Sequence, residues 1–355
     1  VRFFLPCRPV LSNDIYRYLW EGRVSLSGEN PFSHAPEDPA LANLRDNNYE
    51  NINHKDLEAI YPPLAQGVFA VGAALKPSIT VQKIIFVLLD LMLLVLLVLL
   101  LAARKIDPAR CVMYAWNPLV VIEFAHSGHL DSLGMLFLFL GILLMEKGRC
   151  GRGIAALSLS FLSKYSSGVL APYFLFKKRY SKWLALSVLV VLAGYLPFAG
   201  AAGKLISSLK IYALQWEFNS ASFTLLRITG LDTMLIRRVL FLLLAAFSLF
   251  QGYKSRDFLR YSYLVIGCAL LLSPTVYPWY VCWIVPFLCF YPNRAWIIFT
   301  GLVTASYSVV SFYYNTHFWV LDEKVLLIEY IPFYFLMLFG LTAGKGRLAA
   351  GTKKS

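Results

Sequence analysis

Charge is scarce in this chain. Of 355 residues, 15% are charged and 58% are hydrophobic, and the mean hydropathy of +0.61 excludes a soluble globule with a polar shell. Acids are scarcer than bases, 20 Asp and Glu against 33 Lys and Arg, for a net charge of +13. In a soluble protein that excess would suggest nucleic acid. In so apolar a chain it fits basic loops facing anionic lipid, and a nucleic-acid partner is not expected. Six cysteines (Cys7, Cys111, Cys150, Cys268, Cys282, Cys289) fall mostly within apolar stretches. They show neither the close pairing of a metal site nor a disulfide framework, and are expected as buried thiols. No internal repeat is visible. No signal peptide can be read either: Val1 leads almost directly into polar sequence, so the native start is expected upstream.

Apolar runs are what the chain has in abundance. Crossing a hydrocarbon core takes roughly 20 residues of helix. Such runs recur at about 80–103, 111–125, 130–145, 183–198, 235–250, 261–272, 280–291, 296–312 and 325–341. They predict an all-α polytopic transmembrane helical bundle. Residues 1–63 are expected as a long extracytoplasmic first loop with short juxtamembrane helices, 64–345 as the transmembrane helical domain and 346–355 as a cytoplasmic basic tail. Within the first loop, 14–24 reads as a short helix, and 61–75 as a helix at the membrane interface. The stretch 153–176 reads as two half-helices meeting at Lys164, a break tolerated at membrane depth where it lines a polar cavity.

Four basic clusters set the expected orientation: Arg104, Lys105 and Arg110; Lys147, Arg149 and Arg152; Lys177, Lys178, Arg179 and Lys182; Lys254, Arg256 and Arg260. Counting spans puts them on one side, which the positive-inside rule makes cytoplasmic. Arg237 and Arg238 fall on the other side, against the rule.

The concentrated polar motifs sit on that other face. In 12–23, helical spacing aligns Asp14, Arg17 and Glu21; this is either a general base with a phosphate-binding arginine or a solvated ion-pair stripe. The second group, Glu123, His126, His129 and Asp131, follows Trp116-Asn117-Pro118 at a turn between spans. Ionisable groups at membrane depth more often line a cavity than face lipid, although a hydrogen-bonded turn cap explains the pattern equally well. His-x-Asp alone does not make a metal site, and no metal is expected. Lys164, a cation in an apolar stretch, suits an anionic phosphate or snorkels to the interface. The third group, Ser273 to Tyr280 with Trp283, offers aromatic faces to a sugar or forms an anchoring belt. Asp90 lies within a Leu/Val run, with a partner that the sequence does not name.

Taken in order, several motifs resemble those of the GT-C superfamily of polyprenol-phosphate-sugar glycosyltransferases. They are Asp14-x-x-Arg17-Tyr18 with Trp20-Glu21-Gly22-Arg23, Gly28-x-Asn30-Pro31-Phe32, Tyr61-Pro62-Pro63, Asn117-Pro118-Leu119, Gly128-His129-x-Asp131, Lys164 and Tyr277-Pro278-Trp279-Tyr280. The likeness runs along nearly the whole chain, toward bacterial mannosyltransferase-like members and more distantly the first mannosyltransferase of the glycolipid-anchor pathway. In that superfamily a first transmembrane helix precedes the loop with the essential acid; Asp14 is the matching position, and such a helix is expected before Val1. No second acid adjoins Asp14, so a two-carboxylate motif is not expected.

The resemblance implies transfer of a hexose, with mannose expected, from a polyprenyl-phosphate sugar to an extracytoplasmic glycan or glycolipid acceptor with inversion. It makes Asp14 the base, Arg17, Arg23, His129 and Lys164 phosphate contacts, with Asp131 beside them in the substrate site, and Trp279 and Tyr280 sugar or lipid contacts. The lipid-linked sugar phosphate is then a substrate rather than a cofactor, and a divalent metal is not expected. Membrane lipid is the surrounding partner, in a bacterial plasma membrane with the site facing outward. A lipid-linked-sugar flippase or secondary transporter would also need many spans and buried charges, but should show repeats and midplane polar residues. A polysaccharide polymerase shares the extracytoplasmic placement.

Overall fold

The computed structural model describes residues 8–351, with side chains as far as Phe339. The chain is 75% helical with no strands among the described residues, an all-α helical membrane protein. The longer helices are α1 (Asp14–Leu26), α2 (Pro63–Leu75), α3 (Ile79–Ala103), α4 (Asp131–Glu146), α5 (Cys150–Ser163), α6 (Lys178–Tyr195), α7 (Thr233–Lys254), α8 (Phe258–Leu272), α9 (Arg294–Leu302) and α10 (Glu323–Gly351). Of the expected tail, residues 352–355 lie outside the described residues.

Four helical segments are long and apolar enough to cross a membrane: α3, α6 with its continuation to Gln215, α7, and α9 with its continuation to Thr316. α3 shows why. Ser78 caps its first turn by accepting the Val81 amide, and neither Gly nor Pro interrupts the run that follows. Leu88, Met92 and Val95 on α3, Val188, Leu189 and Leu192 on α6, and Phe241, Leu242 and Leu243 on α7 stand exposed. Apolar faces of that extent are stable only against hydrocarbon.

Two expected spans are broken instead. In 111–125 a four-residue helix ends at Ala115, then Asn117 turns extended and its Oδ1 accepts the Leu119 amide to cap Pro118–Val121, followed by a π turn over Ile122–Ser127. In 280–291 the helical pieces are Pro278–Val281 and Val285–Leu288. Pro118 and Pro286 lack the N–H that a continuous helix needs, so each suits the start of a new turn better than its interior.

The first segment is welded to the bundle. Gly22 lets α1 meet α2 directly, since a Cβ there would stand 2.3 Å from the Phe69 carbonyl oxygen. Tyr18 stacks on Phe69 at 4.6 Å between ring centroids, within a buried cluster that includes Ile15, Ala65, Phe86 and Leu130. Asp90, expected without a nameable partner, accepts the Tyr114 hydroxyl at 2.6 Å. Among the described cysteines, Cys282 and Cys289 are buried and Cys111, Cys150 and Cys268 half-buried, all as free thiols; Cys7 lies outside the described residues.

At the far end of α3, Arg104 grips two other helices. Its guanidinium donates to Glu146 Oε1 at 2.8 Å and to both Asp257 oxygens at 2.9 and 2.7 Å. Arg104, Arg179 and Arg256, from three of the basic clusters, and Glu146 beside a fourth share the wall of one pocket of about 390 Å³. Arg237 is buried among loop groups, donating to the Ala213 and Trp216 carbonyls and to Glu217 Oε1. Its charge is thus engaged in tying α7 to the loop rather than left free in a loop.

Candidate active site

Asp14 begins α1, where a carboxylate is favoured by the helix dipole. Asn53 donates to its Oδ1 at 2.9 Å and Tyr61 to its Oδ2 at 3.3 Å, so 12–23, the loop and the start of α2 converge on one acid. Its side chain is 19% exposed. Burial nonetheless raises its pKa above the ordinary carboxylate value, and the Asn53 bond, the charge of Lys164 and the Tyr61 bond only partly offset it. Ionising Asp14 therefore costs more than ionising a free carboxylate, and its carboxylate is the more basic of the two.

Behind it lies the turn that leads into α4. Gly128 adopts φ +76, open to few residues but glycine, and a Cβ there would press on Ile15 and Lys83. This sharp turn sends His129 back beneath α1, where its Nδ1 stands 3.7 Å from Asp14 Oδ2 and its Nε2 3.5 Å from Glu123 Oε2. His129 is 1% exposed and Glu123 fully buried. Neither ring nitrogen has a hydrogen-bond partner, nor does Glu123 Oε2. Tyr307 donates to the other Glu123 oxygen. Two residues on, Asp131 Oδ1 accepts from Lys164 Nζ at 2.5 Å and from Trp283 Nε1 at 2.6 Å. Lys164 is extended, φ −157, between α5 and the following 3₁₀ turn. The expected break in 153–176 thus brings its ammonium to Asp131 and over the Tyr280 ring at 4.4 Å.

The structure gathers Asp14, His129, Asp131, Lys164, Trp279 and Tyr280; Arg17 also lines their cavity, with its guanidinium bonded to the protein, and Arg23 stands apart. Arg17 donates from Nε to Glu21 at 2.7 Å, from Nη1 to the His54 carbonyl at 2.8 Å and from Nη2 to the Leu57 carbonyl at 2.5 Å. With all three nitrogens engaged it holds the loop over α1, and a phosphate would have to displace those bonds. Arg23 donates to the Leu44 carbonyl at 2.8 Å and to Asp46, beside the Trp20, Val24 and Leu41 cluster, and does not line the cavity.

Trp279 lines the cavity with its ring faces taken by other rings. Its indole lies between His129, 4.0 Å away and nearly parallel, and Tyr277 at 4.4 Å, which in turn stacks on Phe218 at 4.4 Å. Both faces are covered, so a sugar ring has none to stack on. Tyr280 shares its hydroxyl with Tyr212 at 2.6 Å. Glu123 is the site residue whose importance the sequence understated: an acid inside an apolar stretch six residues before a histidine was its signal.

Asp14, Arg17, Lys164, Tyr277, Trp279 and Tyr280 line a cavity of about 1200 Å³, with Glu123, His129 and Asp131 behind its wall. Asp14, Asn53, Tyr61, Lys164, Tyr212 and Tyr280 supply its polar lining, while Leu240, Phe241 and Leu244 of α7, Ile266 and Leu270 of α8 and Val169 of the 3₁₀ turn supply an apolar flank. No group of three or more His, Cys, Asp or Glu side chains is placed to hold a metal among the described residues.

Fold and site define a helical membrane protein whose internal cavity joins an acid, a lysine and an apolar wall. Residues 4–177 match the family model described as alpha-(1->6)-mannopyranosyltransferase, N-terminal domain. The chain is on this evidence a glycosyltransferase. The match spans Asp14, His129, Asp131 and Lys164, whereas Trp279 and Tyr280 lie beyond it. No curated protein and no solved structure matches the chain.

Proposed function

We propose that this enzyme moves mannose from a polyprenyl-phosphate donor to a glycan or glycolipid acceptor on the extracytoplasmic face, inverting the anomeric carbon. The observation that carries the reading is the cavity, which unites a basic carboxylate and an ammonium with an apolar flank suited to a lipid chain. The family matched by residues 4–177, an alpha-(1->6)-mannopyranosyltransferase family, supports mannose in α-(1→6) linkage. The basic clusters around the far pocket support a cytoplasmic far end and an outward-facing site.

In this reading Asp14 takes the acceptor's hydroxyl proton as its oxygen attacks the anomeric carbon, help worth about 10²–10⁴-fold. Lys164 faces the phosphate, and polyprenyl phosphate leaves with the bonding pair. Tyr212 and Tyr280 line the wall between them.

Purified protein in nanodiscs, given polyprenyl-phosphate mannose, polyprenyl-phosphate glucose or GDP-mannose with a mannoside acceptor, tests this by product analysis. The reading expects product from the lipid-linked mannose alone, and from a β-linked donor an α-linked product. Transfer from GDP-mannose alone, or retained configuration, rejects it.

A further inference from the structure

His129 stands between two carboxylates with both ring nitrogens unpartnered and 1% of its side chain exposed, which is an unfavourable place for an idle imidazole. Everything around it fixes its orientation. Its amide donates to the Glu123 carbonyl at 2.9 Å, and the Trp279 indole lies against its ring. Tyr307 holds one oxygen of Glu123, leaving the other facing Nε2. Lys164 is paired with Asp131. Distances of 3.7 and 3.5 Å exceed a hydrogen bond by about half an ångström, the kind of gap that closes when a site fills.

We propose that His129 and Glu123 are positioning residues that form a proton relay behind Asp14. The inference rests on the glycosyl-transfer reading above. Glu123 faces Nε2–H and so keeps Nδ1 as the free base toward Asp14. When the acceptor O–H breaks, its electron pair forms the new bond to the anomeric carbon, and the bond to the phosphate oxygen breaks with its pair on the leaving group. The proton passes to Asp14 Oδ2 and on to His129 Nδ1, and the Glu123 carboxylate stabilises the imidazolium. Asp14 is left ionised. After product leaves, the proton returns through Asp14 to the cavity water. The charged or titratable groups around His129 include Asp14 from α1, Glu123 with Tyr307 bonded to it, the Lys164–Asp131 pair, and Lys83 of α3, whose stem packs against Gly128.

The test is single-turnover transfer with polyprenyl-phosphate mannose in mixtures of H₂O and D₂O. The parent should give a bowed dependence of rate on deuterium fraction, since two protons move. His129→Gln and Glu123→Gln should keep donor affinity, lose about 10- to 100-fold in rate and give a linear dependence. Added imidazole should restore rate to His129→Ala, which leaves a ring-sized space against Trp279. Should His129→Gln fail to fold, Glu123→Gln retains the Tyr307 bond and carries the same readouts. Parental rate in either Gln variant, a linear dependence in the parent, or a slowed variant whose dependence stays bowed overturns the relay. A parent that transfers no sugar instead overturns the transfer reading itself.

Discussion

Two charged clusters lie at opposite ends of α3, whose 25 residues span about 38 Å at roughly 1.5 Å per residue. Around Arg104 both acids are matched: one guanidinium serves Glu146 and Asp257, and Tyr291 completes Asp257 at 3.0 Å. Around Asp14 the matching fails. His129 and one oxygen each of Glu123 and Asp131 have no hydrogen-bond partner, and the pKa of Asp14 is pushed up. The first arrangement fastens three helices, while the second keeps groups poised for a proton and an anion. The difference teaches where stability ends and chemistry begins in a protein with little charge to spend.

The comparison breaks most sharply at Lys164. Replacing it by Ala leaves Asp131 buried and uncompensated, so the double variant Lys164→Ala/Asp131→Asn is the cleaner probe. It should fold, and its turnover with polyprenyl-phosphate mannose should fall roughly 100-fold, as when a charge-stabilising donor is lost. Donor affinity should fall as well; unchanged affinity by direct binding would remove Lys164 from the phosphate site.

Arg104→Ala should act oppositely, costing about 1–2 kcal/mol of stability because its partners are partly screened, with turnover per folded molecule unchanged. The acid limb sharpens this. Burial pushes the Asp257 carboxyl up, but the hydrogen bonds and charge of Arg104 outweigh it and hold the pKa below its ordinary value. A lowered carboxylate pKa gives stability present above the ordinary value and lost as pH falls through the lowered one. Thermal unfolding of the parent should therefore weaken on acidification in that window, and Arg104→Ala should weaken less.

Arg23→Ala should do least. Its ion pair with Asp46 is partly exposed, so the loss should be at most about 1 kcal/mol, with donor binding unaltered. A large loss of donor affinity would return Arg23 to the site.

Much of this was legible in sequence, for reasons that particular residues make plain. The uninterrupted run of α3 allows no other structure, and Lys164 in an apolar stretch marked its own break. Helical spacing aligned Asp14, Arg17 and Glu21, but could not foresee that the carbonyls of His54 and Leu57, some forty residues on, occupy Arg17. Tyr277-Pro278-Trp279-Tyr280 reads equally as platform or belt, because which ring faces stay open depends on His129 and Phe218, distant in sequence. Hydropathy overran Asn117-Pro118, since it averages over the residue that ends the helix.

Asp14 sits where burial raises the cost of ionising it, as a carboxylate kept for chemistry would. A raised carboxylate pKa gives stability present below the ordinary value and lost as pH rises through the raised one, a loss that a neutral amide at the same place does not share. The direct measurement is Asp14→Asn, read for turnover and thermal unfolding at pH 7 on one preparation. Asn keeps the shape without the charge. Turnover should fall by about 100-fold or more, with an unfolding temperature equal to or above the parent's. A variant that transfers sugar at the parental rate, or one that loses activity only because it unfolds earlier, would contradict a role for Asp14 in the chemistry.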